Sequence, residues 1–113
     1  MQYRVVLADS AKADAERLYQ WVTERAPLRG PEWFDRLLDS LYSLDHSPNR
    51  CPLVQEARRS HREIRNLLYG KRGNVYRILF EVDEKRNIVW IPHIRRGPRA
   101  PLRPEDLAKP GGR

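Results

Sequence analysis

Residues 75–82, Val75-Tyr76-Arg77-Ile78-Leu79-Phe80-Glu81-Val82, decide how this chain is read. The run is rich in β-branched and aromatic residues and is bounded by turn residues, which marks a strand. Side chains alternate across a strand, so Tyr76, Ile78, Phe80 and Val82 share one face. Val75, Arg77, Leu79 and Glu81 share the other. Similar runs flank it at 64–69 and 88–94. The links Gly70-Lys71-Arg72-Gly73-Asn74 and Asp83-Glu84-Lys85-Arg86-Asn87 have hairpin chemistry. The second half of the chain therefore predicts a three-stranded antiparallel meander.

Upstream the period changes. Residues 3–7 are short and β-branched, an opening strand. Ser10 is a good helix N-cap. Ala11, Ala15, Leu18, Tyr19 and Val22 then recur at helical spacing, and the helix must stop near Arg25 because Ala26 precedes Pro27. Gly30-Pro31 restarts a helix whose inner face is Phe34, Leu37, Leu38, Leu41 and Leu44, until Ser47-Pro48 ends it. Residues 48–61 are a polar connection without a period. The order β-α-α-β-β-β predicts an α+β fold, an antiparallel meander with a helical hairpin packed on one face. Residues 1–100 form the domain, and 101–113 a Pro/Gly-rich flexible tail.

The helices can cover only one side of such a sheet. Tyr76, Ile78, Phe80 and Val82 are expected beneath them, with Ile88, Trp90 and Ile94 of the last strand. Val75, Arg77, Leu79, Val89, Ile91, His93 and Arg95 are left on an open, half-apolar face suited to docking. Pro92 cannot donate to a ladder, so a bulge is expected there, turning His93 and the arginines outward.

Composition narrows the function. At 113 residues, 40% hydrophobic and 33% charged, the chain is one compact domain and not a disordered one. No apolar run approaches the roughly 20 residues of a membrane span, and no secretory signal opens the chain, so the cytoplasm is the expected location. A lone Cys51 excludes an internal disulfide and a cysteine-based zinc site. The net charge of +7 is unevenly spread. Residues 1–56 carry 7 Lys and Arg against 9 Asp and Glu, and residues 57–113 carry 15 against 6. That asymmetry points to a polyanion or an acidic partner.

The Tyr76-Arg77-Ile78-Leu79-Phe80 run followed by His93-Ile94-Arg95-Arg96-Gly97, in this order of elements, resembles the RelE/ParE superfamily of bacterial type II toxins over residues 2–100. The resemblance implies a growth-inhibiting toxin of a plasmid-stabilising type, neutralised by an acidic antitoxin that folds on binding, with no cofactor. In RelE-like members the implied activity is cleavage of ribosome-bound mRNA. Arg77, with Arg95 or Arg96, would then stabilise phosphate charge, and His93 would be the general base. Arg65, Lys71 and Arg72 would bind substrate. The tyrosine or histidine that such nucleases carry after the last-strand arginine has no counterpart here. ParE-like members inhibit DNA gyrase and need no catalytic set, and a degenerate member would bind only its antitoxin. The antitoxin's apolar side chains are expected to meet Val75, Leu79 and Ile91.

Overall fold

A computed structural model describes residues 2–55, 57, 61–71 and 74–97. Strand β1 (Arg4–Leu7) is followed by helices α1 (Asp9–Arg25) and α2 (Gly30–Tyr42). Short 3₁₀ turns at Ser43–Asp45 and Pro48–Arg50 lead to β2 (Arg65–Lys71), β3 (Asn74–Asp83) and β4 (Ile88–Arg96). The α+β architecture and element order are those expected. The sheet order is β1-β4-β3-β2. Strands β2, β3 and β4 form the antiparallel meander, and β1 adds to β4 in parallel, which makes the sheet mixed. The parallel pair is possible because the whole helical hairpin lies between β1 and the meander. Among the described residues, no helix is long and apolar enough to cross a membrane.

The core follows the two periods. Ala11 and Ala15 of α1, with Leu37 and Leu41 of α2, pack on Tyr76, Ile78, Phe80, Val89, Ile91 and Ile94 of the sheet. Each large apolar side chain so buried contributes about 1.5–3 kcal/mol. The hairpin closes tightly where α2 begins: a Cβ on Gly30 would lie 2.4 Å from Thr23 Oγ1. Glycine is needed there for the helices to approach. The β3–β4 turn is held by Asp83, whose Oδ1 accepts from the Lys85 and Arg86 N–H groups at 3.1 and 3.2 Å, with Asn87 in the left-handed region at φ 53°.

Several expectations need correction. The face of β4 is misread before Pro92. Leu79 pairs with His93 but Glu81 pairs with Trp90, so Phe80 faces both Ile91 and Pro92 across a bulge. The bulge occurs at the proline, as expected, but it does not turn His93 and the arginines out of the sheet, since His93, Arg95 and Arg96 stay opposite Leu79, Arg77 and Tyr76; its extra residue instead inverts the alternation before Pro92. Val89 and Ile91 therefore join Ile94 in the core, and Trp90 turns to the other face.

That other face is not open. Val54 and Ala57, from the connection read as having no period, and Ile64, read as the start of a strand but lying just before β2, form a second apolar cluster with Leu79. Arg77 is only 4% exposed. Leu79 and Ile91, both fully buried, cannot meet a partner's side chains. Lastly, Ser10 does not cap α1. Ala8 holds the cap position, and Ser10 Oγ donates instead to the Pro92 carbonyl at 2.6 Å. The tail beyond residue 97 and Arg72 lie outside the described residues.

Candidate functional site

The ladder of β2, β3 and β4 sets which charged side chains share a surface. Directly opposed residues in an antiparallel pair lie on the same face, their Cβ atoms about 4.5–5.5 Å apart. Arg77 is opposite Arg95 on β4 and Leu68 on β2. One step along, Leu79 is opposite His93 and Asn66. Beyond the bulge, Glu81 is opposite Trp90, and its Oε1 accepts from Arg62 Nε at 2.8 Å. The face thus runs from a pair of arginines, past a covered leucine, to an ion pair of low exposure. Arg77 and Arg95 form a directly opposed pair of like charges on this face.

His93 is fixed from α1. Its Nδ1 is 2.9 Å from Asp14 Oδ2, and the same oxygen accepts from the Ile94 N–H at 3.0 Å. Arg17 pairs with Asp14 Oδ1. Asp14 itself is 3% exposed. A carboxylate accepts hydrogen bonds, so the proton of a neutral His93 sits on Nδ1 and Nε2 is left as the acceptor. Asp14 was missed in the sequence. The signal was there: it lies three residues after Ala11 and four before Leu18, a charge within the buried stripe of an amphipathic helix.

Three of the candidate residues turn away. Arg65 is opposite Phe80, on the helix side, where its Nη1 donates to the carbonyls of Cys51 at 2.7 Å and Asn49 at 3.3 Å. It braces the loop that leads to β2. Lys71 is exposed at the end of β2, opposite Asn74 and in phase with Arg65. Arg96 is opposite Tyr76, also on the helix side, with its guanidinium carbon 4.3 Å from the centre of the Trp21 ring. The structure therefore brings Arg77, His93 and Arg95 together and separates Arg65, Lys71 and Arg96 from them.

The titratable groups near Arg96 are shaped by burial. Desolvation raises the Tyr76 hydroxyl pKa, and the positive charge of Arg96 partly offsets that. Tyr69 is raised chiefly by burial too, with Arg36 opposing it. Trp33 bridges these rings, with centroids 6.0 Å from Tyr69 and 5.3 Å from Tyr76. Both phenols stay protonated at neutral pH, so they are packing groups and not bases.

Comparison with known proteins agrees with this architecture. The family model for the ParE toxin of type II toxin–antitoxin systems, parDE, matches residues 5–101. A chain of the RelBE2 toxin–antitoxin complex of Mycobacterium tuberculosis superposes with a TM-score of 0.56 at 19% identity, covering 86% of this chain and 100% of that one. A chain of the RelE–RelB complex of Pyrococcus horikoshii gives a TM-score of 0.46 at 18% identity, with 88% and 100% covered. No curated protein matches the sequence.

Proposed function

Because this chain belongs to the ParE toxin family of type II toxin–antitoxin systems, we propose that it halts growth by binding DNA gyrase, without catalysis, until a cognate antitoxin neutralises it. The observation that carries the reading is that only part of the candidate nuclease set shares a face, Arg77 with Arg95 and His93, while Arg65, Lys71 and Arg96 lie on the other. A ribonuclease must direct a base, an acid and cations at one phosphate. Here Arg77 is buried, Arg96 and Arg65 lie on the opposite side of the sheet, and residues 97–113 contain no histidine or tyrosine. A binding toxin needs only shape and charge.

One observation favours mRNA cleavage as a second reading. Arg77 and Arg95 are directly opposed, and His93, one pair along, has its tautomer set by Asp14. That is a clamp and a base on a single face. An acidic antitoxin that folds on binding suits both readings, since the half of the chain carrying these arginines is strongly basic. The solved relative from M. tuberculosis, crystallised as a toxin–antitoxin complex, is in keeping with such a partner.

The test pairs two assays on wild type and Arg95→Ala: supercoiling by purified gyrase, and mapping of RNA ends on translating ribosomes. Arg95 is the better choice because replacement of the buried Arg77 would also disturb folding. The proposal expects blocked supercoiling and intact messages. Cut messages that disappear in Arg95→Ala, with supercoiling untouched, would transfer the chain to the nuclease reading. Loss of one preorganised donor would then lower the cleavage rate about 10²–10³-fold.

A further inference from the structure

Arg95 and Arg96 are adjacent in the chain and leave β4 on opposite faces. Arg96 is exposed and rests on Trp21, in the last turns of α1. The guanidinium carbon of Arg25 lies 4.0 Å from the centre of the same ring, and Arg25 Nη1 donates to the Trp21 carbonyl at 3.0 Å. Among the described residues, none accepts a hydrogen bond from Arg96. A guanidinium stacked on an indole is held in place while its in-plane N–H edges remain directed outward. Holding the fork beforehand reduces the entropy lost when an anion binds.

The turn that follows α1 adds an apolar element. Leu28 is 97% exposed, more than the other exposed large hydrophobic side chains among the described residues. Tryptophan and arginine are the residue types enriched in protein-binding hot spots, and Leu28, three residues after Arg25 in the chain, adds an exposed apolar side chain in the turn that follows. The surrounding charge is mixed. Glu24 is 3.7 Å from Arg25, and Glu32 opens α2. Both carboxylates are already paired, Glu24 with Arg25 and Glu32 with Arg36 at 2.6 Å, and a folded partner can place single acidic groups at Arg25 and Arg96 by charge complementarity.

We propose that Trp21, Arg25, Leu28 and Arg96 form the surface with which this toxin meets its protein target, and that the target presents carboxylates around an apolar recess for Leu28. The proposal rests on the gyrase reading and adds where the contact is made. It assigns Arg96 to recognition on the helix side, apart from the Arg77–Arg95 face.

The experiment measures inhibition of gyrase supercoiling by wild type, Arg96→Ala, Arg96→Lys, Leu28→Ala and Arg86→Ala. Melting curves are recorded for each, and binding to a linear DNA duplex is measured in parallel. Arg96→Ala and Leu28→Ala should each raise the half-inhibitory concentration about tenfold or more, the scale of a hot-spot contact. Arg96→Lys should recover part of the loss, and Arg86→Ala, in the β3–β4 turn, should match wild type. A wild-type chain that leaves supercoiling intact overturns the gyrase reading and this surface with it. An active wild type with both alanine variants at full potency overturns the surface alone. Parallel loss of duplex binding in Arg96→Ala would assign the surface to nucleic acid, which also overturns the proposal.

Discussion

Asp14 and His93 are 79 residues apart in sequence and 2.9 Å apart in space, joined through Asp14 Oδ2. The contact belongs to a larger seal. Strand β1 covers β4 only as far as the pair Leu7–Ile91. Past that point α1 takes over: the Ala8 N–H donates to Ile91 O at 3.0 Å, Ser10 Oγ to Pro92 O, and Asp14 accepts from Ile94 N–H. The first turns of a helix thus satisfy a strand edge that would otherwise stand ready to pair with another chain.

Removing the carboxylate tests the seal. Asp14→Ala leaves the Ile94 N–H buried without its acceptor and releases His93. The expected cost is about 1.5–3 kcal/mol, the range for hydrogen bonds to a charged group. In a domain of this size that lowers Tm by roughly 10 °C in a thermal melt. A loss below roughly 0.5 kcal/mol would show that solvent replaces Asp14 without penalty.

The covered second face makes a separate prediction. Leu79 packs with Val54, Ala57 and Ile64 and is fully buried. Leu79→Ala should cost about 2–5 kcal/mol by denaturant unfolding, as for other large-to-small core changes. A near-neutral result would mean that the 52–64 connection does not pack on the sheet in solution.

Gly70 holds a third. Its φ is +107°, and a Cβ there would lie 2.1 Å from the Asn74 carbonyl oxygen. That neighbour is backbone and cannot swing aside. Gly70→Ala should therefore destabilise the β2–β3 hairpin by at least about 1–3 kcal/mol through strain. The check is faster amide exchange along 65–71 than along β4.

The last concerns pH. Glu84 accepts hydrogen bonds from Tyr3 Oη at 2.6 Å and Asn49 Nδ2 at 2.8 Å, which lower its pKa below the usual 4.5, Tyr3 being the larger cause. A depressed carboxylate pKa contributes stability above the unfolded value, and that stability is lost as pH falls through the folded value. Tyr3→Phe should therefore be less stable than wild type at pH 7, with the gap closing as pH falls below 4.5. Melts of both proteins at pH 7 and pH 3 check this; a gap of constant size would mean that Glu84 is not the acceptor that matters.

The local periods carried much of the fold. Strand alternation over 75–82 and the helical stripes of Ala11–Val22 and Phe34–Leu44 depend on neighbours a few residues apart, so one sequence suffices to read them. The proline at 92 likewise announced its bulge, because a missing N–H is a local property. The same two-residue alternation puts Arg65 with Leu67 and Tyr69 on the helix side, so its separation from Arg77 was also legible in the sequence.

What tertiary structure alone decided is set by contacts between distant segments. Whether the extra residue of a bulge inverts the face of Val89 and Ile91 depends on the partner strand's register. Val54, Ala57 and Ile64 cover Leu79 from irregular backbone, which has no period to betray it. Asp14 marked itself as odd within an apolar stripe, but only the docking of α1 against the uncovered edge of β4 shows what it does there. A buried charge takes its role from the groups that satisfy it, and those lie at the far end of the chain.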